Sequence, residues 1–213
     1  QISKGADSED IANTLYNLAI YYRHRKQYNK AEDYYLQALT VYKQVSQGAD
    51  SVDIANTLHN MANNYRDMKQ YNKAEDYYLQ ALTVYRQISQ GADSVDIANT
   101  LYNLAINYRH MKQYNKAEDY YLQALSVYRQ ISKGADSEDI ANTLYNLAIY
   151  YRHRKQYNKA EDYYLQALTV YKQVSQGADS VDIANTLHNM ANNYRDMKQY
   201  NKAEDYYLQA LTV

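Results

Sequence analysis

The residues best suited to acid–base or metal chemistry are five histidines, His24, His59, His110, His153 and His188. None has a second histidine or a carboxylate three or four residues further on, the spacing that sets two ligands on one helical face. They read as solvated side chains, and no metal is expected. The Glu32-Asp33 pair and its copies suit the first turn of a helix, where the dipole favours acids. No nucleophile motif and no glycine-rich phosphate loop is present. The chain is expected to be no enzyme and to need no cofactor.

Two other sets of polar residues recur with regular spacing. Asn17, Asn60, Asn103, Asn146 and Asn189 hold one place, and Arg23, Arg66, Arg109, Arg152 and Arg195 another. Asn13 and its equivalents lie one turn ahead of the Asn17 set. A side-chain amide carries a donor and an acceptor, so a row of them can bond both sides of an extended peptide backbone. Arginine grips carboxylates or phosphates through paired hydrogen bonds. The same side chains could instead bond neighbouring parts of the chain and fix their stacking. The residues alone leave both readings open.

The elements that position these rows follow from a period of 43 residues. The five glycines, Gly5, Gly48, Gly91, Gly134 and Gly177, fall at that spacing, and residues 1–84 reappear unchanged as 130–213. A fixed period of this length means stacked supersecondary units. The units run 1–43, 44–86, 87–129, 130–172 and 173–213, one array with the last unit cut short. In the first, Ile11, Leu15, Leu18, Ala19 and Tyr22 form one apolar stripe, predicting helix A over about 8–25 with Asp7 or Ser8 as cap. Ala31, Tyr35, Ala38, Leu39, Tyr42 and Val45 form a second, predicting helix B over about 29–46. Asn29 with Glu32 suggests a capping box, and Gly48 a left-handed stop. The short connections make A and B antiparallel neighbours, and the alanines allow close approach.

Composition narrows the classes further. Net charge is −1, cysteine, proline, phenylalanine and tryptophan are absent, and tyrosine occurs 29 times. Without a basic excess, neither nucleic acid nor a membrane surface is expected as a partner. No apolar run approaches the roughly 20 residues of a membrane span. The default location is cytoplasmic. Tyrosine must supply the large core side chains, and each buried hydroxyl then needs a partner or a route to water.

Leu15, Leu18-Ala19, Tyr22, Tyr28, Ala31, Tyr35 and Ala38-Leu39 resemble the signature of the tetratricopeptide repeat, and the match recurs in all five units. The long unit is most similar to the kinesin-light-chain type. The resemblance implies an all-α, right-handed superhelical solenoid of antiparallel helix pairs. The family's glycine between the helices is here Lys26, Lys69, Lys112, Lys155 and Lys198. Lysine with positive φ costs on the order of 1 kcal/mol, so a differently built turn is expected.

Eleven of the 43 positions vary among units. Five lie close together in helix A: Tyr16/His59/Tyr102, Ile20/Asn63/Ile106, Tyr21/Asn64/Asn107, His24/Asp67/His110 and Arg25/Met68/Met111. Tyr145 and His188 continue the first set. By the resemblance, this ridge and the Asn17 and Arg23 rows face a concave groove that holds an extended peptide or a partner helix, and an acidic ligand suits the arginines. The expected function is a non-catalytic protein-interaction scaffold. The alternative is a structural array. Gln1-Ile2-Ser3 matches the end of a helix B and Val213 falls inside another, so the ends expose complementary faces and head-to-tail association is expected.

Overall fold

The computed structural model describes residues 2–176 and 180–213, with side chains from Ser8 onward. Gln1 and Gly177 lie outside the described residues. Within them the chain is all helix and turn: α1 (Ile2–His24), α2 (Tyr28–Val45), α3 (Val52–Asp67), α4 (Tyr71–Ile88), α5 (Val95–His110), α6 (Tyr114–Ile131), α7 (Glu138–His153), α8 (Tyr157–Val174), α9 (Val181–Asp196) and α10 (Tyr200–Leu211). Odd-numbered helices are the A helices and even-numbered ones the B helices. The chain forms two compact units, residues 1–117 and 118–213.

In the first compact unit α1 packs on α2 and α3 on α4, each A–B pair closed by a short turn. The pairs then stack, α2 on α3 and α4 on α5. The second unit repeats this with α7 on α8, α8 on α9 and α9 on α10. Close approach depends on alanine. Ala19, Ala31 and Ala38 are fully buried, as are their copies Ala62, Ala74 and Ala81. Between them sit Tyr35, Tyr78 and Tyr164, also fully buried, which take the place of phenylalanine in the core.

The A helices begin as the sequence implies. Ser51, Ser94, Ser137 and Ser180 each accept a bond from the N–H three residues on, at 3.2–3.3 Å. This satisfies one orphan donor of the first turn. Helix α1 differs, since it runs back to Ile2 and takes in the residues expected to form the cap. Elsewhere that turn is held by the preceding B helix, as where Gly48 N–H bonds Lys43 C=O at 2.9 Å.

The B helices begin otherwise than expected. Their N-caps are Gln27, Gln70, Gln156 and Gln199, and none makes a side-chain cap. The capping box of Asn29 and Glu32 does not form. Glu32 instead accepts the Tyr65 hydroxyl from the next A helix at 2.6 Å, and Glu75 accepts that of Tyr108 at 2.5 Å. A buried hydroxyl without a partner would cost more than an exposed helix start that water can serve, so the carboxylate goes to the tyrosine. Lys73 lies 5.0 Å over the Tyr65 ring and covers its outer side.

The turn between A and B also departs from expectation. Lys26, Lys69, Lys112, Lys155 and Lys198 all adopt left-handed backbone, with φ between 58° and 61°. Their N–H groups bond back to the helix, as Lys69 does to Arg66 C=O at 2.9 Å, while Gln70 N–H reaches Tyr65 C=O at 2.8 Å. This closure needs a left-handed residue whatever its side chain. Between B and A, Gln47 (φ 54°) precedes Gly48 (φ 83°), so two successive left-handed residues end the helix.

Candidate functional site: the A-helix face

Within each compact unit the A helices also touch one another, α1 on α3, α3 on α5 and α7 on α9. One face of each A helix therefore continues onto the next, and the polar rows of the sequence lie along it.

The asparagine row is engaged inside the chain. Asn60 donates through Nδ2 to the Tyr16 hydroxyl (2.8 Å) and to Asn56 C=O (3.0 Å). Asn189 does the same with Tyr145 (2.8 Å) and Asn185 C=O (2.9 Å). Asn103 donates to Asn99 C=O at 2.9 Å and accepts from Arg66, while Asn146 donates to Asn142 C=O. Asn17 is exposed. With the N–H groups of Asn60 and Asn189 committed, those amides present a ligand with an acceptor only. The row one turn earlier is structural. Asn13, Asn56 and Asn142 accept the hydroxyls of Tyr42, Tyr85 and Tyr171 at 2.5–2.6 Å.

The arginine row bridges successive A helices. Arg23 donates through Nε and Nη2 to Asp67 Oδ2, both at 2.8 Å. Arg152 meets Asp196 at 2.9 Å, and Arg195 lies 3.6 Å from the other oxygen of that carboxylate. Arg66 donates through Nη1 to Asn103 Oδ1 at 2.6 Å and lies 5.9 Å over the Tyr78 ring. Arg109 is half-buried.

The variable positions divide. Tyr16, His59, Tyr102 and Tyr145 are half-buried along the face, and His24, His110 and His188 are exposed. His110 stacks on Tyr71 at 5.4 Å with planes 4° apart. Asn63, expected to line a groove, is instead in the core, where its Oδ1 accepts the Tyr78 hydroxyl at 2.6 Å. Ile20 occupies this position in the first repeat, and there the fully buried Tyr35 hydroxyl has no partner. Asn64, Asn107 and Asn193 are buried too, each donating to the first carbonyl of the preceding repeat's B helix. Substitutions at the Asn63 and Asn64 positions thus serve the contacts between and within repeats.

His59 has a definite protonation state. Its Nδ1 lies 2.9 Å from Thr100 Oγ1, whose own proton goes to Asp96 C=O at 2.7 Å. The imidazole must therefore donate from Nδ1, which leaves Nε2 as an acceptor. Burial, then the nearby Arg66 and Arg23, push its pKa down to about 4. At neutral pH the ring is uncharged. Thr100 and the Glu32 row are contacts that the sequence reading missed. The 33-residue spacing of each Glu with a Tyr was the one available signal, and nothing marked the threonine.

A sequence profile of the tetratricopeptide repeat matches residues 1–44, 10–87, 53–130, 96–173 and 139–213, together the whole chain. No curated protein matches it in sequence. Among known structures, BtubC (BKLC) from P. vanneervenii superposes with a TM-score of 0.82 at 22% identity, over 100% of this chain and 89% of the other. A Podosopora anserina putative kinesin light chain with nearly identical TPR-like repeats gives 0.78 at 15%, over 96% and 95%. The apo form of RapI gives 0.76 at 22%, over 92% of this chain and 51% of its own. At such identities these likenesses speak for the fold. Successive helix pairs, stacked through alanine and tyrosine and matched along their entire sequence by the repeat profile, make this chain a member of the tetratricopeptide repeat family.

Proposed function

We propose that this chain is a non-catalytic scaffold that holds an extended peptide against its A-helix face. The observation that carries the reading is the continuity of that face. Within each compact unit, half-buried Tyr, His, Asn and Arg side chains succeed one another across adjoining A helices through bonds such as Tyr16–Asn60 and Arg66–Asn103. Such a face offers pre-positioned acceptors, ring faces and guanidinium donors at low entropic cost on binding. The candidate contacts are Tyr16, Tyr102 and Tyr145, His59, the acceptors of Asn60 and Asn189, and Arg66, whose partner is the neutral Asn103. Asn63 contributes through Tyr78 rather than by touch. Repeats of this family serve protein–protein interaction in general. The absence of catalysis and the choice of an extended ligand are our reading.

The test is selection of ten-residue peptides from a random display library against the chain. Affinities are then compared for Tyr102→Ala and Asn103→Ala on the A-helix face and Leu36→Ala and Leu122→Ala on the exposed B-helix surface. Groove binding predicts losses of tenfold or more for the first pair and little change for the second. The reverse pattern, or a library that yields no binder, refutes the reading.

A second reading is favoured by a specific contrast. Ile11 is 54% exposed while its copies Ile54 and Ile183 are 4%, and Leu211 is 81% exposed while its copy Leu82 is 4%. The faces of α1 and α10 thus match those that pack on each other inside the array, and two copies can join head to tail. Joined so, Tyr22 of one copy would meet Glu204 of the other, as Tyr65 meets Glu32. Sedimentation velocity should show mass growing with concentration, and Ile11→Glu with Leu211→Glu should abolish it. A monomer at every concentration refutes self-association.

A further inference from the structure

The arginine row has unequal members, and the inequality selects where an acidic ligand side chain binds. We propose that Arg66 is a carboxylate-binding subsite, and that Arg23 and Arg152 are closed to the same ligand. The proposal rests on the A-helix face being the ligand surface.

The argument follows the donors. A guanidinium has five N–H groups, and its Nε–Nη2 edge is one of those that fit a carboxylate bidentately. In Arg23 that edge is taken, with Nε and Nη2 both on Asp67 at 2.8 Å. Arg152 is held through Nε by Asp196 at 2.9 Å. In Arg66 a different nitrogen is used, Nη1, and its partner is the neutral Asn103. Among the described residues no carboxylate lies within ion-pair reach of Arg66. The cause is one variable position. Asp67 stands 44 residues after Arg23 and Asp196 stands 44 after Arg152, but the residue 44 after Arg66 is His110. His110 is turned flat against Tyr71. Burial, then Arg109 and Arg66, lower its pKa, so it brings no charge of its own at neutral pH.

Arg66 is also held in place. The Asn103 bond fixes one nitrogen and the Tyr78 ring lies beneath the guanidinium, itself anchored by its hydroxyl on Asn63. A cation pre-positioned by two neutral neighbours, half-buried and with its Nε–Nη2 edge unclaimed, has the features of an anion site. The repeat that supplies His110 in place of Asp thereby opens the subsite.

The probe is a fluorescein-labelled peptide of ten glutamates, with a ten-glutamine peptide as control, followed by fluorescence anisotropy on the full chain. The wild type should bind the first in preference to the second. Arg66→Gln should weaken binding at least tenfold. His110→Asp should do the same while folding normally, because it recreates the arrangement already present at Asp67. Asp67→His should release Arg23 and strengthen binding several-fold. The subsite is overturned if His110→Asp binds like wild type, if Arg23→Gln weakens binding as much as Arg66→Gln, or if the glutamate peptide is not bound. In that last case, selected peptides that still respond to Tyr102→Ala and Asn103→Ala would leave the groove reading standing.

Discussion

The five lysines between A and B helices sit where glycine is the residue of lowest cost. Their φ values of 58–61° place Cβ against the following carbonyl, a conformation costing about 1–2 kcal/mol for an L-residue. Replacement by glycine removes that cost. It also gives the unfolded chain more freedom, which costs about 0.4–1 kcal/mol. The net gain expected is about 0.5–1 kcal/mol per site. Lys26, Lys69 and Lys112 are exposed and belong to separate turns, so their effects should add, to about 2 kcal/mol for the triple glycine variant. Urea unfolding followed by circular dichroism at about 222 nm reads this directly. With a slope of about 2–3 kcal/mol per molar, the midpoint should rise by roughly 0.7–1 M. The control is Lys30→Gly, the third residue of α2, where glycine should lower stability by about 1 kcal/mol. A triple variant no more stable than wild type, or an upward shift from Lys30→Gly, would refute the claim that backbone conformation sets the cost of this turn.

Other consequences are as open to measurement. His59 has its folded pKa lowered to about 4, against about 6.5 unfolded. The stability this represents is fully present above pH 6.5 and is lost as pH falls toward 4, at most about 3 kcal/mol; His59→Tyr, the residue at Tyr16 and Tyr102, should flatten that part of the stability–pH curve. Ile20→Asn should give the Tyr35 hydroxyl the acceptor that Tyr78 finds in Asn63, raising the unfolding midpoint by an amount equivalent to about 1 kcal/mol, and an unchanged or lower midpoint would count against it. Ser94→Ala should cost about 1 kcal/mol through loss of the α5 cap, detectable by the same urea titration. Glu75→Ala leaves the Tyr108 hydroxyl without its acceptor and should cost about 1–3 kcal/mol, more than Asp76→Ala on the exposed face beside it.

The period, the helix pairs and their core faces were legible in the chain itself. Ile11, Leu15, Leu18 and Tyr22 lie on one stripe because a helix repeats every 3.6 residues, and neither helix of a pair can bury its stripe alone. Ser51 and Gly48 mark ends through local hydrogen bonds that span three to five residues, within reach of sequence reasoning. What the tertiary structure decided is which polar side chain meets which, since those partners lie 15–44 residues apart. Glu32 has the spacing of a capping residue, yet the Tyr65 hydroxyl arriving from the next repeat competes for it and wins. Asn63 and His59 occupy the same ridge on a helical wheel, but one fills the core beneath Tyr78 and the other lies along the face. Arg23 and Arg66 hold the same place in successive repeats, and the repeat that follows places a carboxylate at that position for one and an imidazole for the other. Local sequence determines the helix and its apolar face; the chemistry of a polar side chain is settled by the neighbour that packing brings to it.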